Sequence, residues 1–510
     1  MTAQASQSLL AKTASGASWV IGFRLITRLL GLASTLTLVR LLGPGDFGLV
    51  ALASSFAQTV DALANLSVHE AIVRERAPER AMYDTAFTMS LIRGLVTALV
   101  VAGTAPFAAE FFHEPRMAPV LFALAAGTLI SAVENIATAD FMRDFAFRKE
   151  FRLWTIPRVL QVVATVSFAL LWPSYWALIF GIITSRVIRT ALSYVMRPYR
   201  PRLTLVAWRR ITGFTVWSWA IYMVGMLRDR VDTVLVGRFF SAASVGVYAL
   251  GGEIASLPTS ELVDPLCRAC FPSFSALRHT GHKVAPTYLR LLGATAALVL
   301  PAGVGIAMVA DPLVQLAFGP KWSAAIPIVQ IIGISATISA LGNISATLFS
   351  AFAMLRTLFL ISLGGGLLRA ALLITLLPGG TLLRAAVIGT CVALCEQSVT
   401  IAIATRRFGV RPADLLRAVW RSILATATMA GVLVRLGLGL ARSGDAPWHL
   451  LLGTAAAGAA IYVAVLGLAW AASGLPEGPE RDLLAVAGSF LHRLRAWRPP
   501  ATAPAPRTGG

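Results

Sequence analysis

Four ionisable side chains, Arg228, Asp229, Arg230 and Asp232, fall within the otherwise apolar run MVGMLRDRVDTVLVGRFF. A second run, near the N-terminus, carries Arg24 and Arg28 four residues apart and therefore on one face of a helix. A guanidinium is planar, always charged and presents a rigid fork of N–H donors, so a pair of them suits the oxygens of a phosphate or diphosphate. Arg24, Arg28, Arg228 and Arg230 are the candidate phosphate-binding residues. A carboxylate in the same surroundings can pair with a cation or take up a proton, which makes Asp61, Asp229 and Asp232 the candidates for ion coupling or for an ion-pair network. Both sets have plainer readings. Arg24 stands about one turn inside its apolar run and can snorkel to an interface; Arg228 and Asp232, four apart, can pair and keep their helix insertable.

Other basic residues, Arg93, Arg186, Arg189, Arg369 and Arg384, could line the same cleft, with Arg186 and Arg189 near enough to a helix end to be interfacial. Glu70, Glu134, Asp140, Glu253, Glu261 and Glu396 fall mostly near helix ends, where structural pairing is expected. The six histidines are scattered and form no metal constellation, and Cys267 with Cys270 and Cys391 with Cys395 give no disulfide framework. Walker A, Gly-x-Ser-x-Gly and His-Glu-x-x-His patterns are all missing. No cofactor and no catalytic residue are expected, and the protein is not expected to be an enzyme.

The elements that must carry these charges are membrane helices. The chain has 510 residues, 57% hydrophobic and only 13% charged, with a mean hydropathy of +0.74; soluble domains carry about 25% charged residues. Fourteen spans are expected, at 17–39, 47–68, 86–109, 118–139, 153–172, 175–196, 211–237, 243–265, 288–310, 324–349, 354–377, 385–405, 415–439 and 448–471. The loops between them alternate. VRERAPER, MRDFAFRKEFR, RPYRPRLTLVAWRR, CRACFPSFSALRHTGHK, AMLR and TRRFGVRPADLLR are rich in Arg, whereas RLLGPGDFG, FFHEPRM, LWPSYW, GRFFSAAS, DPLVQLAFGPKW, LLPGG and ARSGDAPW are not. Basic loops stay in the cytoplasm, so both termini are placed there and most of the formal +20 charge is orientation. Nucleic acid is therefore not the expected partner.

A shift of 198 residues aligns spans 1 and 2 with spans 7 and 8 without a gap, giving seven identities in 34 positions, among them Arg40 with Arg238 and Gly48 with Gly246. An even number of helices separates the copies, so they run the same way across the membrane, as two lobes related by an axis along its normal. The expected organisation is an all-α polytopic protein: a six-helix lobe over 1–200, a second over 201–410, two further helices over 411–475 and a cytoplasmic tail over 476–510. Two lobes around a cleft are the architecture of alternating access rather than of a pore.

The stretches RLLGPGDFGLVALA (Arg40–Ala53) and DRVDTVLVGRFFSAASVGVYALGGEIASLPTSELVDPLCRACFPSFSAL (Asp229–Leu277), with the fourteen-span layout, resemble the polysaccharide transporter branch of the multidrug/oligosaccharidyl-lipid/polysaccharide exporter superfamily, the Wzx-type flippases. The resemblance implies movement of an undecaprenyl-diphosphate-linked oligosaccharide across the bacterial inner membrane for exopolysaccharide or lipopolysaccharide synthesis. It also implies a cationic cavity, contact with membrane lipids, coupling to a proton or sodium ion, and a polysaccharide polymerase and assembly proteins as partners. Two alternatives stand beside it: a cation-coupled multidrug or metabolite antiporter of the same superfamily, and a membrane polysaccharide polymerase or ligase.

Overall fold

The computed structural model describes residues 27, 30–31, 33–64, 68–75, 78–144, 146–209, 215–280, 284–439, 448–476, 478 and 480–481. Arg24, Arg28, most of span 1 and the expected amphipathic tail lie outside them. The described chain is helical throughout: α1 (33–41), α2 (Pro44–Leu63), α3 (Val68–Arg74), α4 (Arg80–Phe111), α5 (Met117–Ala132), α6 (Ala139–Arg143), α7 (Phe147–Leu171), α8 (Trp176–Met196), α9 (Thr215–Phe239), α10 (Ala242–Thr280), α11 (Val284–Met308), α12 (Ala310–Phe318), α13 (Ile326–Ala351), α14 (Leu355–Leu376), α15 (Leu382–Arg407), α16 (Pro412–Arg435) and α17 (Trp448–Ala472).

Spans 2 to 14 each meet one of these helices. Among the described residues, eight helices are long and apolar enough to cross a membrane, or nine if the bent pair α5 and α6 is one span. The count falls short of fourteen because most of span 1 lies outside the described residues, α9 carries the four clustered charges, and α2, α10 and α16 are likewise diluted by polar and ionisable residues.

Two expectations need correction. Span 4 is not continuous: α5 stops at Ala132 and the chain resumes from Ile136 at 65° to it. The cause is Asn135, fully buried, whose Oδ1 accepts from Ala137 N at 3.0 Å while its Nδ2 donates to the carbonyls of Ser193 and Arg197. A side chain that competes for backbone groups starts a new helix, and here it also pins the break to the end of α8. Span 8 does not stop at 265 either. Its helix continues to Thr280, through Pro258, Pro265 and Pro272.

The start of α2 follows from its sequence. Pro44 occupies the first turn, where no N–H is needed, and the Asp46 carboxylate accepts from Gly43 N at 3.2 Å beside the positive end of the helix dipole. The 198-residue repeat becomes a physical contact at this point. α2 packs on α9 and α10, and a Cβ on Gly48 would lie 1.6 Å from the Ala242 carbonyl oxygen, while one on Gly246 would lie 2.1 Å from that of Pro44. Pro44 and Ala242 are themselves repeat mates, so the two contacts exchange under one pseudo-two-fold axis. The same exchange links Arg40, which donates to the Leu316 carbonyl, with Arg238, 3.3 Å from His113 Nδ1 and stacked on Phe111. Trp322 Nε1 donates to Val39 O at 3.1 Å across the same seam. One large core gathers residues of both halves here, including Leu49, Leu52, Val120, Val245, Trp322 and Leu377.

The opposite, Arg-rich end is held by polar anchors. Asp140, buried, takes a hydrogen bond from Tyr83 and ion pairs from Arg143 (2.9 Å) and Arg197 (2.8 Å). Asp84 accepts from the Tyr199 hydroxyl and from Arg202 N; burial, followed by that carboxylate, raises the Tyr199 phenol above its ordinary range. Helices α16 and α17 attach to the second half through α11, where the Tyr462 hydroxyl donates to Ala297 O at 2.7 Å.

Because no side chain fits between Gly48 and Ala242, Gly48→Ala should weaken the closed contact by about 1–3 kcal/mol, the usual cost of overpacking. In a variant with all four cysteines replaced by Ala and Ser54→Cys added as reporter, a bulky thiol reagent supplied from that end should then react faster. Unchanged labelling would show that this approach does not seal the end.

Candidate functional site

Ser54, Gln58 and Asp61 recur on one face of α2 and look across a cavity of about 320 Å³ at Arg93 of α4, Thr128 and Ser131 of α5 and Arg186 of α8. Arg93 Nη1 stands 3.1 Å from Asp61 Oδ1. Arg186 Nη1 donates to Thr128 Oγ1 at 3.0 Å and to Leu124 O at 3.2 Å, and no ion pair to it occurs among the described residues. Gly127 gives the guanidinium its room: a Cβ there would stand 2.9 Å from Arg186 Nη1. From the other half of the molecule, Arg230 reaches the same wall, its Nη2 donating to Gln58 Oε1 at 2.7 Å. A second cavity of about 350 Å³ shares Arg93, Ser131 and Arg186 with the first and adds His69, Glu134 and Arg189. Arg189 Nε lies 3.0 Å from Glu134 Oε1, and its guanidinium sits 3.6 Å over the Trp154 ring.

Arg93, Arg186 and Arg189, with Arg230 bonded to the wall at Gln58, thus meet Asp61 and Glu134 around two adjoining cavities, an excess of positive charge. Charge at membrane depth persists only against protein partners, water or ligand. Such a wall can hold an anionic group with several acceptor oxygens, for which guanidinium forks supply directed donors.

The charges of α9 divide between two other partners. Arg228 pairs with Glu396 of α15 at 2.9 Å and with Asp229 at 3.1 Å, and donates to Ser362 Oγ at 3.2 Å. Asp232 pairs instead with Arg369 of α14 and accepts from the Tyr248 hydroxyl at 2.8 Å. The expected pairing of Arg228 with Asp232 along the helix does not form. An exposed i,i+4 pair is worth only about 0.2–0.5 kcal/mol, and α9 packs on α14 and α15, whose charges offer drier, better directed partners. Glycines again mark the places: a Cβ on Gly365 would stand 2.7 Å from Glu396 Oε2, and one on Gly389 2.5 Å from Arg369 Nη2. Asp232 Oδ1 and the Nε atoms of Arg369 and Arg230 are buried without a hydrogen-bond partner.

The candidate residues therefore separate. Asp61 and Arg230 come to the cavity, Arg228 and Asp229 join Glu396, Asp232 joins Arg369, and Arg24 and Arg28 lie outside the described residues. Sequence reasoning placed Arg186 and Arg189 at the interface and Glu396 among end-of-helix acids. Their signal was the small residue opposite each, Gly127 or Gly365, which acquires meaning only once the helix pairing is known.

A family model described as polysaccharide biosynthesis protein matches residues 37–327, more than half of the chain. The chain belongs to that family. It is 25% identical over 340 residues to the lipopolysaccharide biosynthesis protein WzxC of Escherichia coli (strain K12), an alignment covering 66% of this chain and 69% of that one. With the succinoglycan biosynthesis transport protein ExoT of Rhizobium meliloti (strain 1021) it shares 23% identity over 301 residues, 58% of this chain and 61% of the relative. Among solved structures, the lipid II flippase MurJ in an inward closed conformation superposes with a TM-score of 0.69 at 12% identity, over 92% of this chain and all of that one. An inward-facing multidrug resistance MATE family transporter of the MOP superfamily gives 0.59 at 14% identity, covering 75% and 94%. These likenesses establish the two-lobe, all-α polytopic fold.

Removing one member of a buried pair strands the other. Arg369→Met should lower stability by about 3–5 kcal/mol, seen as an earlier thermal transition of the detergent-purified protein. Adding Asp232→Asn should restore most of it; no recovery in the double variant would mean that the pair is not what Arg369 supports.

Proposed function

We propose that the protein carries a polyprenyl-diphosphate-linked oligosaccharide from the cytoplasmic to the periplasmic leaflet, for exopolysaccharide or lipopolysaccharide assembly, by alternating access. The observation that carries this reading is Arg186, a guanidinium held at membrane depth by neutral acceptors, in a cavity already lined by Arg93 and reached by Arg230. A diphosphate supplies the counter-charge that such a wall lacks, a glycan is compatible with polar space, and a hydrocarbon chain can stay in lipid. The relatives support the cargo class by name, as proteins of lipopolysaccharide and succinoglycan biosynthesis, and so does the structural neighbour, a lipid II flippase.

The Arg-rich loops and both termini face the cytoplasm, and the Gly48–Gly246 end faces the periplasm. Substrate enters while the glycine end is shut, its diphosphate displacing water from Arg93, Arg186 and Arg230; Arg24 and Arg28 complete the basic wall. Rocking of residues 1–200 against 201–410 then parts the glycine contact and closes the Arg-rich end, leaving 411–475 attached to the second lobe. Proton or sodium binding drives the return. Asp232, buried with one oxygen unpartnered among the described residues, is the foremost coupling carboxylate, with Asp229 on the same helix and Asp61 at the cavity as the others. A polysaccharide polymerase and assembly proteins receive the product. A cationic drug would be repelled by the same wall.

In proteoliposomes, Arg186→Ala should slow leaflet exchange of a labelled polyprenyl-diphosphate oligosaccharide about tenfold or more, the scale of one lost charged hydrogen-bond donor. Arg186→Lys should recover only part, since the fork is lost, and Gly127→Val should mimic the alanine variant by displacing the guanidinium. Arg417→Ala, at an exposed pair, should have no effect. Exchange at the wild-type rate in Arg186→Ala would remove the cavity from the mechanism.

A further inference from the structure

The third large cavity lies beyond the Arg189–Glu134 pair and differs from the other two in kind. It encloses about 730 Å³, within the roughly 300–1,000 Å³ of small-ligand sites. Its wall is mostly apolar, with Val73 of α3, Ala139 and Met142 of α6 and Leu153 and Trp154 of α7. It exists because α5 breaks: had span 4 run straight, α6 would not swing out at 65° and leave space between itself and α7. Met142 and Trp154 are 53% and 44% exposed, so the cavity opens to the outside of the helix bundle, in the half of the protein where the Arg-rich loops lie.

Its inner end adjoins the basic space. The apolar cavity shares His69, Glu134 and Arg189 with the second cavity, which shares Arg93, Ser131 and Arg186 with the first. From the apolar mouth the adjoining walls therefore lead past the guanidinium of Arg189, with Trp154 on its face and Glu134 at its Nε edge, to the guanidinium of Arg186.

We infer that this cavity is a lateral entry site through which the hydrocarbon end of the diphosphate lipid is received from the cytoplasmic leaflet, with Arg189 as the first phosphate contact. The inference rests on the flippase reading above and adds the route. Order along the path matches order along the ligand: apolar wall for the isoprenoid carbons, then Arg189, then Arg186 and Arg93 for the diphosphate, then open polar space toward α2 for the sugar. Trp154 holds the Arg189 plane from one face. Glu134 neutralises it while no ligand is bound, and an incoming phosphate replaces that carboxylate as the acceptor. An oligosaccharide without the lipid has nothing to place in the outer cavity, and a lipid without phosphate has nothing to offer Arg189.

The experiment uses the full chain in vesicles and a polyprenyl diphosphate with a photoreactive group on its isoprenoid chain. Irradiation should label peptides containing Met142 or Leu153–Trp154, and excess unlabelled polyprenyl diphosphate should remove the label where the same excess of phosphatidylglycerol does not. Equal competition by phosphatidylglycerol would overturn the assignment in favour of a general phospholipid groove; labelling confined to other helices would overturn the site itself. Val73→Trp with Met142→Trp should slow exchange of the long-chain substrate about tenfold while sparing a carrier shortened to two isoprene units. Equal loss for both chain lengths would also count against it. Labelling reads binding alone, so the entry site and the flippase reading fail separately: wild-type protein that labels here yet exchanges no glycan tried would refute only the latter.

Discussion

Backbone lies against backbone where Gly48 of α2 meets Ala242 and Gly246 of α10, and the rest of the molecule is arranged around that approach. Its mirror, Gly246 against Pro44, makes the contact self-complementary across the two halves. A contact of this kind is isologous, like that of a symmetric dimer. It fixes the axis, and with it the counterpart contacts of Arg40, which reaches across to the Leu316 carbonyl in α12, and of Arg238, which reaches across to His113 just after α4. Since the helices touch at one end, the divergence that makes room for a cavity has to occur toward the other.

On this symmetric frame the charges are placed asymmetrically. In the second half, Arg228 pairs with Glu396 and Arg369 with Asp232, while Arg230 turns to Gln58 of the first half. In the first half, among the described residues, Arg186 hydrogen-bonds a hydroxyl and a carbonyl and makes no ion pair. Burying a pair is close to neutral in stability when its geometry is good, whereas an unpaired charge is costly. Two deep cations of the C-terminal half are thus neutralised within it, while Arg186 and Arg230 leave positive charge uncompensated on either side of α2 among the described residues. The glycines at 127, 365 and 389 are the complement of this layout, since a long charged side chain can lie flat against a helix only where that helix has no Cβ.

Much of this was legible. Thirteen of the spans were located to within a few residues at most of their ends because hydropathy acts over twenty positions at once and tolerates individual charges. The repeat was legible because Gly48, Arg40 and their mates are constrained by contact with each other. What escaped was decided between helices. The Arg228–Asp232 spacing was correct for a pair, but α14 and α15 supplied Arg369 and Glu396 from more than a hundred residues away. The break at Asn135 was hidden because its amide earns its place only through Ser193 and Arg197. Arg186 looked interfacial because distance to a helix end can be read from sequence, whereas direction around the helix and the identity of the facing residue, Gly127, cannot.

α2 joins the two ends mechanically. Gly48 and Asp61 are thirteen residues apart, about 20 Å along a helix rising 1.5 Å per residue, so the element that closes one end also presents Ser54, Gln58 and Asp61 to the cavity. Its contacts at the two ends are different in strength. The glycine approach is flanked by the large apolar core shared by both halves, while at the cavity the hydrogen bond from Arg230 to Gln58 and the pair of Asp61 with Arg93 tie α2 both to α9 and to α4. On the proposed cycle, an anion that draws Arg230 from Gln58 removes a bond between the halves, and one that draws Arg93 from Asp61 frees α2 from α4 within the first half. The balance that kept the far end shut then shifts through a rigid lever, with no change required in the fold of either half. On the proposed mechanism, ligand charge is read at one end of α2 and the glycine contact is released at the other, which needs a differential affinity of the ligand for the two arrangements.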